Sequence, residues 1–162
     1  MFSNSKPFIS PKFFSYLEIF SLIAFKNFFA CWGVNINLEQ TLAFGEPGIS
    51  NEENFEIFGK CSYENFHGHN YELIVKILGD IDQKTGMVMD LSILKKIIKT
   101  EVEDLLDHKN LNLDIPYFKD VIPTTENLAI FIWNKLNSAI KLDCKLSIVL
   151  YETPRNYVEY SG

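Results

Sequence analysis

Cysteine, histidine and net positive charge are all scarce in this chain, and each shortage removes a class of function. There are three cysteines, Cys31, Cys61 and Cys144. An odd number at wide spacing does not make a disulfide framework and points to a reducing compartment, the cytoplasm. Lys and Arg total 15 against 21 Asp and Glu, a formal net charge of -6. That balance sets aside nucleic acid and anionic membrane surfaces as partners. It leaves room for a phosphorylated small molecule, because a few local cations or a metal can hold one. No glycine-rich phosphate loop is present. No long apolar run is uninterrupted either. Phe13 to Trp32, "FFSYLEIFSLIAFKNFFACW", carries Glu18 and Lys26, whereas a membrane span needs roughly 20 mostly apolar residues. Its apolar stretch, Ile19 to Phe25, is short for a secretory signal, and the positive flank is thin. Residues 1–33 read as a Phe-rich extension, either an amphipathic helix or an irregular segment, and residues 34–162 as a single domain. Internal repeats and low-complexity linkers are absent.

What is present is ordinary globular material: 162 residues, 47% hydrophobic and 22% charged, enough for one domain with a real core. Val34 to Leu42 alternates as a strand. Gly, Pro, Ser and Asn in "GEPGISNEEN" make a turn into a short helix over Glu52 to Phe58, stopped by Gly59. Tyr71 to Ile77 is the clearest strand, with Tyr71, Leu73, Val75 and Ile77 on one face. "GDIDQKTG" reads as a hairpin-like loop and "MVMDL" as extended chain. Ser92 to Leu106 is an amphipathic helix with Ser92 as N-cap and a stripe of Leu94, Ile97, Ile98, Val102, Leu105 and Leu106. "NLNLDIPYF" reads as a loop. A second helix follows Thr124, with Glu126 in its first turn and Leu128, Ile132, Leu136 and Ile140 as its stripe. Lys145 to Glu152 is a strand, and Val158 to Tyr160 pairs with it. The order implies an α+β fold, an antiparallel sheet with two helices on one face.

One stretch concentrates chemistry: "CSYENFHGHNYEL", Cys61 to Leu73. Extending the strand face backwards by twos from Tyr71 reaches His69 and His67, so both imidazoles point to the core side. At that spacing they are either a metal pair or two hydrogen-bonded polar residues. Glu152 stands at the end of the apolar row Leu146, Ile148 and Leu150. A carboxylate there is costly unless it meets a cation or a pair of donors.

Six motifs, "SNEENFEIFGKC", "HGHNYEL", "GMVMDLSILK", "LDHKNLN", "PTTENLA" and "YETPRN", together resemble the 6-pyruvoyl-tetrahydropterin synthase family, in its order and approximate spacing. The resemblance implies a tunnelling fold: a four-stranded antiparallel sheet with two helices packed on one face, assembled as a homohexamer of two trimers around a barrel. It implies a zinc site and pterin pockets at subunit interfaces, and conversion of 7,8-dihydroneopterin triphosphate to 6-pyruvoyl-tetrahydropterin with loss of triphosphate. His67 and His69 are then zinc ligands. The family's third ligand is a histidine of the first strand, but none of the three histidines precedes residue 67. Gln40, in "EQTLAF", occupies that position, and an amide oxygen is a poor zinc ligand beside two imidazoles. The site is therefore weakened, completed by Gln40, Glu39 or water, or empty.

The resemblance also assigns the remaining roles. Cys61 is the base, and a thiol needs neighbouring positive charge to be a thiolate at neutral pH. Asp107 orients His108, which relays protons with Cys61. Glu152 receives the N–H edge of the pterin in two parallel bonds. Thr124, Thr125 and Glu126, at a helix start, hold the other edge, and Lys60 is a contact for triphosphate. Glu64 makes the pattern Cys-x-x-Glu-x-x-His-Gly-His, which resembles a variant branch that cleaves the same substrate to 6-hydroxymethyl-7,8-dihydropterin for folate. A metal-poor, non-catalytic pterin-binding oligomer is a third reading. A carboxytetrahydropterin synthase fits less well, because its cysteine lies closer to the HGH.

Overall fold

Alternation of apolar and polar residues builds the centre of the sheet. The computed structural model describes residues 29–45, 48–63, 65–141 and 143–162, with side chains from residue 34 onward. In it, strand β2 (His67–Asp80) is longer than the Tyr71–Ile77 pattern and takes in both histidines. Tyr71, Leu73, Val75 and Ile77 are buried on one face of it. Strand β1 (Phe29–Leu42) pairs with it antiparallel over its whole length, from Phe29 opposite Asp80 to Leu42 opposite His67. It begins inside the stretch assigned above to the extension, and residues 1–28 lie outside the described residues.

Later helices cover one face of the sheet, while the first one buries no residue of its own. Helix α1 (Asn51–Phe58) starts in a capping box, in which the Ser50 hydroxyl accepts from the Glu53 N–H and the Glu53 carboxylate accepts from the Ser50 N–H. Gly59, at φ 58°, stops it and opens a 3-10 turn, Gly59–Ser62. After β2 comes no strand at "MVMDL". Asp82 folds the chain back by accepting from the N–H groups of Lys84 and Thr85. Asp90, not Ser92, then caps helix α2 (Leu91–Ile98), accepting from the Ser92 N–H at 2.7 Å. A wide π turn, Lys99–Glu103, joins α2 to α3 (Asp104–Leu106). Leu94, Ile98, Val102 and Leu106 are fully buried along this rod.

The expected sheet of four antiparallel strands becomes a mixed sheet of five. His108 adopts a left-handed backbone at φ 56°, and its N–H donates to the Glu39 carbonyl at 2.7 Å. That reversal lays β3 (Lys109–Asn110) parallel to β1, opposite Gln40 and Thr41. "NLNLDIPYF" is likewise no plain loop. Asn110 caps helix α4 (Leu111–Asp114), a 3-10 turn follows over Pro116–Lys119, and Leu111, Ile115 and Phe118 are buried.

Helix α5 (Thr125–Ala139) is capped by Thr124, whose hydroxyl accepts from the Asn127 N–H. It presses Leu128, Ile132 and Leu136 onto the sheet. Strand β4 (Lys145–Thr153) pairs with β2, and β5 (Asn156–Tyr160) pairs with β4, so the sheet order is β3-β1-β2-β4-β5. Its other face carries Asn35, Glu39, Asn70, Glu72 and Lys76, all at least partly exposed. Among the described residues no helix is long and apolar enough to cross a membrane.

Candidate active site

One end of the sheet, on its helix-covered face, gathers buried polar atoms that have no hydrogen-bond partner among the described residues. His67 and His69 lie two residues apart on β2, with ring centroids 4.8 Å apart. The Nε2 atoms of both are buried without a hydrogen-bond partner. Gln40, the register partner of His69 on β1, is 3% exposed, and both atoms of its amide are unpartnered as well. Polar atoms buried without partners cost free energy, so native chains rarely leave several together unless something else occupies the site. Phe44 closes one side, edge-on to the ring of His67.

The rest of the site converges on Tyr71. Its hydroxyl is buried, and Thr125 stands beside it at the start of α5, short of well-formed hydrogen-bond geometry. Burial first, then the charges of Glu152, Glu126 and Cys61, push the phenol up to about 12. Tyr71 thus keeps its proton throughout the physiological range. Glu152, at the end of β4, brings Oε1 to 3.4 Å from Nδ1 of His69. Burial lowers the pKa of His69, opposed by Glu152 and reinforced by His67. With Nδ1–H directed to Glu152, Nε2 offers its lone pair to the buried side. A carboxylate behind an imidazole in this manner fixes a ligand's tautomer. Cys61, half-buried in the 3-10 turn, is tied to this end by its carbonyl, which accepts from the Phe44 N–H at 2.8 Å.

Asp107 and His108 lie elsewhere. They follow α3 and pack on Glu39, which points away from the face that carries Gln40, because neighbouring residues of a strand face opposite ways. The Asp107 carboxylate accepts from the Glu39 N–H at 2.9 Å and stands 2.9 Å from Nδ1 of His108. Nε2 of His108 is 3.4 Å from the Glu39 carboxylate. The Glu39 N–H holds Asp107 below the usual carboxylate range; burial opposes it, and the adjacent His108 adds to the lowering. This pair borders a groove lined by Thr41, Gly68, Asn70 and Asp114. A relay from His108 to Cys61 within one chain is therefore not what the structure builds. Glu39, turned to this side, is no third ligand for His67 and His69.

Residues 47–162 match the family of 6-pyruvoyl tetrahydropterin synthase. The chain belongs to that family. It is 49% identical over 114 residues to the 6-pyruvoyl tetrahydrobiopterin synthase of Pongo abelii, covering 70% of this chain and 79% of the relative. The same protein of Homo sapiens is 47% identical over 114 residues, with the same coverage of both chains. The solved structure of Caenorhabditis elegans 6-pyruvoyl tetrahydropterin synthase superposes with a TM-score of 0.77 at 36% identity, covering 86% of this chain and 99% of that one.

Against the synthase family, the chain's own geometry sorts the expected residues into two groups. His67, His69, Gln40, Cys61, Glu152, Thr125 and Glu126 meet at one end of the sheet. Thr124 is next to them but spends its hydroxyl as the cap of α5. Asp107 and His108 form the second group, and Glu64 lies outside the described residues. Lys60 is exposed beside Cys61. Tyr71 was missed as a site residue, although it continues the His67 and His69 face by one more step of two. Gln40 falls before the matched residues, yet β1 sets it opposite His69.

Proposed function

We propose that this enzyme is a lyase that converts 7,8-dihydroneopterin triphosphate to 6-pyruvoyl-tetrahydropterin with release of triphosphate. The observation that carries the reading is the meeting of Cys61, two unpartnered imidazole nitrogens and Glu152 around Tyr71, in a chain of the synthase family. Two imidazoles whose buried Nε2 atoms have no hydrogen-bond partner among the described residues fit zinc as two of its ligands. Bound there, zinc would act as a Lewis acid on substrate oxygens and favour the thiolate of a nearby cysteine.

The chain's own groups supply the remaining work. Glu152 accepts two N–H bonds from the pterin edge, with one oxygen already turned to His69. Thr125, Glu126 and the free N–H groups at the start of α5 hold the ring from the other side. Tyr71 forms an apolar wall with a hydroxyl that stays protonated. Cys61 removes a proton from a side-chain carbon of the substrate. When the proton leaves the carbon next to the ring, the C–H electron pair moves into the ring, N5 takes a proton, and ketonisation of the resulting enol protonates C6, so the ring is reduced as that carbinol becomes a ketone. Loss of the next carbon's proton then forms a carbon–carbon double bond as the adjacent C–O bond breaks to release triphosphate, and this second enol ketonises to complete the pyruvoyl group. Proton return falls to His108, oriented by Asp107. Since that pair faces away from Cys61 in its own chain, a second copy provides it. The edges of the sheet that no described strand pairs, on β5 and along most of β1, suit such an assembly, a hexamer in the family's arrangement, because joining strands between copies removes open edges.

Incubation with 7,8-dihydroneopterin triphosphate and identification of the products by mass spectrometry tests this reading. 6-Pyruvoyl-tetrahydropterin and inorganic triphosphate are expected. 6-Hydroxymethyl-7,8-dihydropterin as the sole product would overturn it in favour of a Glu64-directed cleavage. The pterin anchor has its own test. Glu152→Gln should weaken pterin binding by about 1.5–3 kcal/mol, the scale of a hydrogen bond to a charged group. Unchanged affinity in a calorimetric titration would remove Glu152 from the pocket.

A further inference from the structure

We infer that Gln40 Oε1 is the third protein donor of a divalent-cation site with His67 and His69, so that this chain holds its metal through two imidazoles and one amide oxygen. The inference deepens the metal reading of the two histidines and rests on it. It does not depend on which pterin is formed.

Three features of Gln40 carry it. First, its amide is 3% exposed, and neither its oxygen nor its nitrogen has a partner. A lost or unmade hydrogen bond at a buried amide costs roughly 1–3 kcal/mol, so an unoccupied pocket around Gln40 would be a standing defect. Second, β1 and β2 place Gln40 directly opposite His69. Facing residues of an antiparallel pair have Cβ atoms about 4.5–5.5 Å apart, and both side chains lie on the helix-covered face with His67. Third, among the described residues no group of three His, Cys, Asp or Glu is placed to hold a metal ion. The Gln40 amide oxygen is a buried, unpartnered donor that β1 sets directly opposite His69, on the face that carries both imidazoles.

The donor set has a consequence. Amide oxygen is harder than imidazole nitrogen and carries no charge, so zinc loses part of its preferred environment. A zinc held by this set would be bound less tightly, and would exchange more readily, than one held by three imidazoles. Glu152 behind His69 supplies the nearby negative charge, and it also fixes which nitrogen of that ring faces the metal.

The experiment uses the full chain, stripped of metal and titrated with zinc against a chromogenic chelator, without substrate. Gln40→His should raise zinc affinity, and Gln40→Leu should lower it, each by more than the roughly 10–100-fold that changes behind the ligands produce. Gln40→Leu should at the same time raise the melting temperature of the metal-free protein, because it removes an unsatisfied buried amide. Cobalt(II) bound to the unaltered chain and to Gln40→His should differ in its visible absorption spectrum. Equal zinc affinity of the unaltered chain and Gln40→Leu would overturn the inference while leaving the two histidines as ligands. Absence of binding by both the unaltered chain and Gln40→His would overturn it together with the metal reading itself. Neither outcome bears on the product assay, which reads the reaction independently.

Discussion

Cys61→Ala is expected to cut triphosphate release by about 10²–10⁴-fold, the usual contribution of a positioned general base, with pterin binding and folding retained. The turn that carries Cys61 is held through the backbone. The Cys61 carbonyl accepts from the Phe44 N–H, and the Ser62 hydroxyl donates to the Gly59 carbonyl, so neither bond is lost with the thiol. The side chain is half-buried, and its truncation leaves a small gap rather than a large core cavity. Stopped-flow measurement of triphosphate release, together with pterin titration, separates chemistry from binding. Full retention of the rate would move the base off Cys61, and Glu64 would be the next residue to replace.

His108→Ala should lose activity on a similar scale of about 10²–10⁴-fold, and its more informative property is complementation. In one chain His108 packs on Glu39, on the opposite side of β1 from Gln40. If a second copy delivers His108 to Cys61, then neither Cys61→Ala nor His108→Ala chains assemble a complete site alone. Mixed oligomers, made by unfolding and refolding the two variants together, contain some interfaces with an intact Cys61 from one chain and an intact His108 from the other. Activity well above that of either parent is therefore expected. A mixture as inactive as its parents, in oligomers shown by mass spectrometry to contain both chains, would confine the two residues to one chain's site and overturn the shared arrangement.

Much of the site was legible because strands are periodic. His67, His69 and Tyr71 share a face with Leu73, Val75 and Ile77, and the same alternation carried Glu152 to the end of the row Leu146, Ile148 and Leu150. The capping pattern of α5 was equally readable, since Thr124 caps and Glu126 follows in the first turn as local hydrogen bonding requires. Expectations failed where a side chain chose between two local partners. Asp90 took the cap expected of Ser92, because its carboxylate accepts from both the N–H and the hydroxyl of Ser92. The "MVMDL" strand failed because an extended residue pattern gains nothing without a neighbouring strand to pair with. Lys109–Asn110 became a strand, against expectation, because His108 turned the chain back beside β1.

The sequence by itself determined the family, the α+β class, the two long helices and the identity of the chemical groups, because motif order and short-range periodicity are local properties. It also showed that no histidine precedes residue 67, and it raised the expectation that Gln40 takes a ligand's place on the first strand. The tertiary structure alone decided what those groups face. Strand register puts Gln40 across from His69 with its amide unpartnered, and strand alternation sends Glu39, one residue away, to the other side with Asp107 and His108. Pairing between residues far apart in the chain, Gln40 with His69 and Glu39 with Asn70, fixes those directions, and no local pattern encodes that pairing.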